Sequence, residues 1–376
     1  PIDAIIQFWD FPISIMQTIL VERFGTRGPS PQSVLRCEQK HWGRIKQREV
    51  IPEMVPPFQG FDPFSDNARD QIEMDYPFWV KPIKAFAGHL GYRVENDRDF
   101  GRAIAGMRRR IERFTKPLVR LMEYTDPPEE FSENDSNIAI AEGIIGGSQC
   151  TVEGYAFGGE IELHGIVDSH RFPGSSTFSH YQYPSTLPAE IGERMREASR
   201  KVMRHVGFED SAFNIEFFWD RDSDELWLLE INPRVSQSHA ELFRKVDGVS
   251  NAKIPLEVAL GRRPEMPKGE GPCEVAGKFF VRHFEDGVVR KAPGEQELRR
   301  LKESIPGIQA ELHAKEGQRL GDLDYQDSYS YKLAMLYFGG ESEEDLRRTF
   351  EKAKDILGYQ VDPVDEKNPE KREEKM

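Results

Sequence analysis

The sequence predicts a chain of mixed α/β and α+β class, built from two or three packed domains and a charged tail. Three observations lead to this. The 376 residues are enough for substantial cores. Hydrophobic residues make up 38% and charged residues 31%, a globular balance. Short apolar runs of period two alternate along the chain with longer stretches of helical composition.

The first element is residues 2–8 (IDAIIQF), a strand-like run, followed after Asp10 and Pro12 by a helical stretch to Phe24. One strand and one helix cannot form a core alone, so residues 1–36 read as part of a larger α/β domain. A Pro-rich connection follows over 51–63 (IPEMVPPFQGFDP). Residues 76–82 (YPFWVKP) have strand character, which resumes at Arg93 and Val94. Residues 97–113 have helical composition, and 125–136, acidic with Pro127 and Pro128, read as an exposed loop. Between 138 and 166, apolar runs separated by Gly-containing turns predict antiparallel strands. A helix is expected over 188–206, with Pro188 at its entry and Gly207 past its end. Residues 213–232 form a hairpin, 268–272 read as a linker, and a strand-rich unit closes with a helix over 342–357. Residues 362–376 are almost wholly charged, polar or Pro, the composition of a disordered tail. No internal repeat is evident.

The formal net charge of −14 argues against nucleic-acid binding, which needs a basic face to displace counterions from phosphates. A local basic site for small anions remains compatible with it, and the surplus charge itself favours solubility. No apolar run approaches the ~20 residues that cross a bilayer, so no membrane partner is expected. Cys37, Cys150 and Cys273 have neither metal-ligand spacing nor the pattern of a disulfide framework. They read as buried thiols in a reducing cytoplasm. The sequence opens on Pro1 with no signal-like segment.

The hairpin carries the most chemistry. Alternation in FNIEFFWD places Phe213, Ile215, Phe217 and Trp219 on one face, with Asn214 and Glu216 on the other. In LWLLEINPR it places Trp227, Leu229 and Ile231 opposite Leu228, Glu230 and Asn232. A turn centred on Ser223 sets Glu216 across from Glu230, and Asn214 across from Asn232. Like charges directly opposed on a sheet are destabilising, and desolvating them among apolar runs costs more. A divalent cation removes both difficulties, and two carboxylates plus an amide oxygen suit magnesium. Arg234 is then placed to neutralise phosphate charge. The bland alternative, a solvent-facing acidic hairpin, accounts for an isolated Glu better than for this whole set.

With these residues the chain resembles the ATP-grasp superfamily, whose metal signature LLEINPR matches, preceded by the Glu of NIEFF. The resemblance covers residues 40–261 and implies Mg2+, or Mn2+ in its place, on Glu216, Glu230 and Asn232, held against ATP. It further implies phosphate contacts from Lys81 and the turn bearing Gly88 and Gly91, and a first ATP lysine at Lys40. IAIAEGIIGG is similar to the superfamily's hinge, placing Glu142 and the backbone around Ile145 at the adenine edge. Gln149 stands where many members have a ribose-binding Glu, and it can still hydrogen-bond hydroxyls. The implied domains are a partial α/β domain over 1–36 of the kind that precedes ATP-grasp, and the ATP-grasp domain over 37–265 with a lid near 74–140. A C-terminal α+β domain similar to that of biotin carboxylases follows over 272–361, and then the tail.

What the resemblance implies for function is a cytoplasmic ligase. It would activate a small carboxylate, such as an amino acid, as an acyl phosphate before an amine or thiol attacks. Arg234 and His239 are the candidate catalytic residues. Biotin carboxylases carry a Gln-Val-Glu-His segment after the metal motif, and here Ser236-Gln237-Ser238-His239 has Ser238 in place of the Glu base. Bicarbonate-activating carboxylation therefore ranks below ligation, and a non-catalytic nucleotide-binding protein is the third reading. His164, His170 and His180 read as structural, and Arg171 as a residue able to hold a substrate carboxylate. The sequence leaves the oligomeric state open, a homodimer being common on base rates alone.

Overall fold

A computed structural model describes residues 2–84, 90–125, 138–324 and 330–364. The chain divides into two compact units. The first comprises Pro1–Asp168, Ser185–Gln237 and Asn251–Met266; the second comprises Ser169–Pro184, Ser238–Ser250 and Pro267–Met376.

The first unit begins with helices α1 (Ile13–Phe24), α2 (Pro31–Glu38) and α3 (Lys40–Val50). Gly25, in the left-handed region at φ +63°, ends α1. Ser30 caps α2 by accepting from the Ser33 amide, with Pro31 at the first helical position. The Gln39 side chain caps α3 through the Trp42 amide. Residues 2–8 do not form the expected strand. Side chains take the place of a neighbouring strand: Gln17 donates to the Ile5 carbonyl (2.9 Å), and Gln237 donates to that of Phe8 (2.5 Å).

A four-stranded antiparallel sheet follows, in the order β1 (Phe58–Phe61), β4 (Ala139–Gly143), β2 (Phe78–Pro82), β3 (Tyr92–Val94). β1 lies inside the stretch expected as a connection. The residues between Pro57 and Pro63 keep every backbone donor, so they pair with β4. The expected helix over 97–113 is α4 (Asp97–Arg110), continued as α5 (Glu112–Met122). Phe100, Ala103, Ile104 and Met107 of α4 pack on Phe78, Val80, Val94, Ala139 and Ala141 of the sheet. Most of the expected acidic loop lies outside the described residues.

The rest of this unit is built on β5 (Ser148–Phe157), β6 (Glu160–Arg171, in this unit as far as Asp168), β8 (Ser211–Trp219) and β9 (Leu226–Asn232). Their order is β6-β5-β8-β9, with β9 at the edge. Helix α6 (Ala189–His205) lays Ile191, Met195, Ala198 and Val202 into a core shared with Val152, Phe213, Ile215, Phe217 and Trp219. Short α8 (Ile254–Ala259) packs separately with Tyr155, Ala212 and Val235. The hairpin register at the carboxylates is as the sequence predicts: Glu216 pairs with Glu230 and Asn214 with Asn232. Beyond them a β-bulge intervenes. Phe217 pairs with Leu228, leaving Leu229 without a partner on β8. The alternation expected along the return strand is therefore wrong, because the extra residue returns Leu228 to the core face with Leu226 and Ile231.

The second unit contains β7 (Phe178–Tyr183), α7 (Ala240–Asp247), β10 (Val275–His283), β11 (Gly287–Lys291), α9 (Glu295–Ser304), β12 (Gln309–Leu312), β13 (Tyr331–Gly340), α10 (Glu343–Leu357) and β14 (Gln360–Pro363). Strand order is β12-β13-β10-β7, with β11 and β14 paired separately. Its own core joins Phe279, Leu336 and Phe338 to Leu301 of α9 and Leu346, Ile356 and Leu357 of α10. The expected linker is stitched to α7, since Lys268 and the Gly269 amide both donate to Asp247 at 2.9 Å. Of the expected tail, Asp362 and Pro363 instead pair with β11, and residues 365–376 lie outside the described residues. Cys37 and Cys150 are buried, whereas Cys273 is half-buried. Among the described residues no helix is long and apolar enough to cross a membrane.

Candidate active site

The predicted site residues of the first unit gather where β8 and β9 meet α3, β2 and β4. Glu216 is half-buried, and Asn232 Nδ2 donates to its Oε1 at 3.3 Å and to Asn214 Oδ1 at 3.0 Å. Gln149, brought alongside by the pairing of β5 with β8, donates to Glu216 Oε2 at 2.6 Å. Burial and the facing Glu230 charge push the Glu216 carboxyl above the usual carboxylate range. Glu230 is more open, with 43% of its side chain exposed, and Lys40 Nζ lies 4.0 Å from it. Burial, helped by Lys81 and Lys84, lowers the Lys40 amine, while Glu230 opposes that shift.

The lysines are held by acids. Lys81, on β2, donates to Glu142 Oε2 at 2.7 Å, and Arg44 Nε donates to the other oxygen at 2.6 Å. Burial would raise the Glu142 carboxyl, but Arg44 and Lys81 outweigh it and hold it below the ordinary range. Lys84 pairs with Glu38 at 2.7 Å, both buried. Arg234 forms a forked pair with Asp10, through Nε to Oδ1 and Nη2 to Oδ2 (2.9 Å).

Other expected positions are spread more widely. Ile145 is half-buried in the turn between β4 and β5. Gly147 closes that turn at φ +106°, and a Cβ there would sit 2.2 Å from the Trp219 carbonyl oxygen, so only glycine fits. Gly91 directly precedes β3, and Gly88 lies outside the described residues. His239 belongs to the second unit, where Tyr181 meets its ring edge-on at 5.3 Å. Also there, His180 stacks between His170 (4.2 Å) and Phe279 (4.5 Å). Ser238 accepts from the buried Lys278 at 3.0 Å.

Sequence reasoning passed over Arg44, Asp10, Lys84 and Glu38 as site residues. Arg44 was within reach, because four residues after Lys40 it shares that lysine's helix face. Asp10 gave no signal, since its partner lies 224 residues away.

Chemically, the site is a pair of facing carboxylates with an amide, walled by Lys40, Lys81 and Arg234. Among the described residues no three His, Cys, Asp or Glu side chains gather as a metal cage. Two carboxylates and an amide oxygen fit instead a hard cation that completes its shell with water and phosphate oxygens.

Residues 74–241 match the family model described as the ATP-grasp domain. The chain carries an ATP-grasp domain. Its carboxylate hairpin lies inside the matched span, and its fold is the mixed ATP-grasp fold. The C-terminal section of the carbamoyl phosphate synthase large chain of Methanopyrus kandleri is 27% identical over 300 residues, covering 76% of this chain and 50% of that protein. The carbamoyl phosphate synthase large chain of Thermotoga neapolitana is 35% identical over 320 residues, covering 81% of this chain and 25% of that one. The chain thus spans half or less of these curated relatives. Among solved structures, the L-amino acid ligase of Bacillus licheniformis superposes with a TM-score of 0.74 at 16% identity, covering 97% of this chain and 82% of that one. At that identity the likeness is one of ATP-grasp fold.

Proposed function

We propose that this ATP-grasp chain is a ligase that uses Mg-ATP to activate a small carboxylate as an acyl phosphate and joins it to an amine. The observation that carries the reading is Glu216 set directly across from Glu230, with Asn232 beside them, inside an ATP-grasp domain. Glu216, Glu230 and Asn232 would hold Mg2+, which would supply charge neutralisation for the nucleotide phosphates. Lys40 and Lys81 bind the phosphates, and Glu142 holds Lys81 in place for that contact. Both Glu142 oxygens are engaged by Arg44 and Lys81, so the backbone around Ile145 takes the adenine edge. Gln149 is assigned to the ribose side, and Arg234, steadied by Asp10, to the transferred phosphoryl group.

The name of the Bacillus licheniformis neighbour supports amino acids as the first substrates to try. The names of the curated relatives support a second reading, phosphoryl activation of bicarbonate with ammonia as the amine. One assay separates them: ADP release from Mg-ATP with amino acids, hydroxy acids, thiols, or bicarbonate with and without ammonium, singly and in pairs. ADP that requires an amino-acid pair establishes a peptide-forming ligase. ADP that requires bicarbonate replaces that reading with the second. Tight ATP binding with no ADP from any combination overturns both in favour of a nucleotide-binding protein without turnover.

A further inference from the structure

Arg44 is almost wholly buried and makes four hydrogen bonds. Nε donates to Glu142, and Nη1 to Gln47 Oε1 and the Leu228 carbonyl, both at 2.7 Å. Nη2 donates to the Leu229 carbonyl, also at 2.7 Å. Neighbouring carbonyls of a regular strand point to opposite edges, so one guanidinium reaches both only because β9 is bulged there. β9 is also an edge strand, and the carbonyl of its unpaired Leu229 takes its hydrogen bond from Arg44. The next residue is Glu230. Through Glu142, the same side chain is tied to Lys81.

We infer that Arg44 is a positioning residue with two divided roles: its fork on Leu228 and Leu229 sets the Glu230 carboxylate and so fixes how much a divalent cation adds to nucleotide affinity. Its Nε, through Glu142, sets the Lys81 amine and so the affinity for nucleotide with or without the cation. This rests on the proposed metal and phosphate roles. A planar fork is needed for it. Lysine at this position can meet Glu142 but cannot hold two adjacent carbonyls.

The test measures ATP affinity by calorimetry on the full chain, with Mg2+ and in EDTA, and takes the ratio of the two. In Arg44→Lys that ratio should fall about tenfold, the scale of losing a partner that orients a metal ligand. In Glu142→Gln, which frees Lys81 but leaves the fork on Leu228 and Leu229, both affinities should fall together and the ratio should hold. A purely structural Arg44 would lower the folded fraction without moving the ratio, and that result in Arg44→Lys overturns the inference. If Arg44→Lys does not fold, Glu142→Gln still decides, because a reduced ratio there removes the division of roles. Glu230→Gln, run in parallel, separates the two readings. If it keeps the Mg2+ gain, the metal assignment fails. If it loses the gain while Arg44→Lys keeps it, only the inference about Arg44 fails.

Discussion

Glu216 and Glu230 face each other on paired strands, a repulsion that the proposed cation would offset, which makes Glu230 the sharpest probe of the metal assignment. Glu230→Gln keeps the shape and removes one charge. We expect a folded protein whose Mg2+-dependent nucleotide affinity drops by about a hundredfold, the upper end of what loss of a group that only orients a ligand costs, read by titration with Mg2+; near-normal affinity would sink the metal assignment. In the second unit, burial first, then His170 and Arg347, lower His180 to about 3 from its ordinary 6.5. Between those values the unfolded chain binds a proton that the folded chain refuses, so stability is full above 6.5 and is lost as pH falls towards 3. From pH 6.5 to 5 this amounts to about 2 kcal/mol, at about 1.4 kcal/mol per pH unit. Urea unfolding at pH 7 and pH 5 should show that loss in the native chain and a smaller one in His180→Phe. Burial also draws the Lys278 amine down to about 8, next to the Ser238 hydroxyl. Ser238→Glu would set a carboxylate against that amine and raise it again. We expect no bicarbonate-dependent ADP from this variant, and its appearance would reopen the carboxylase reading.

At the scale of elements, capping residues mark several helix boundaries, as at α2, α3, α4 and α10. Ser342 opens α10 by accepting from the Asp345 amide at 3.2 Å, and Gly358, at φ +57°, closes it. Ser342→Ala should cost about 1 kcal/mol, measured as a lower urea midpoint at unchanged slope; no shift would mean that water satisfies the amide equally well. The hairpin was legible for a similar local reason. Alternation in the sequence put Phe213, Ile215, Phe217 and Trp219 in the core, and opposed carboxylates marked the register. Its bulge was not legible. Nothing in LWLLEIN distinguishes an extra residue from a paired one, because the group that stabilises the bulge, Arg44, arrives from a helix 184 residues earlier in sequence. Residues 2–8 failed for the converse reason: they have strand composition, but the Gln17 and Gln237 side chains bind their backbone where a strand would have been needed.

For the whole molecule, the acidic balance predicts that a duplex oligonucleotide shows no mobility shift at physiological salt, where basic patches drive such binding; retention would reveal a basic face that net charge hides. The two units have separate cores, one around Phe213 and Phe217 and one around Phe279 and Phe338. The second gathers residues 169–184 and 238–250 from within the stretch that reads as a single ATP-grasp domain. What the sequence determined by itself was local: helix ends set by caps, strands set by alternation, and a carboxylate set close enough in the chain to be matched by register. Only the tertiary structure decided that Glu142 is spent on Arg44 and Lys81, that Asp10 forks onto Arg234, and that Leu229 bulges beneath Arg44. Those contacts join residues some 60 to 220 positions apart, and a buried charge takes whichever partner packing brings to it, which no local pattern encodes.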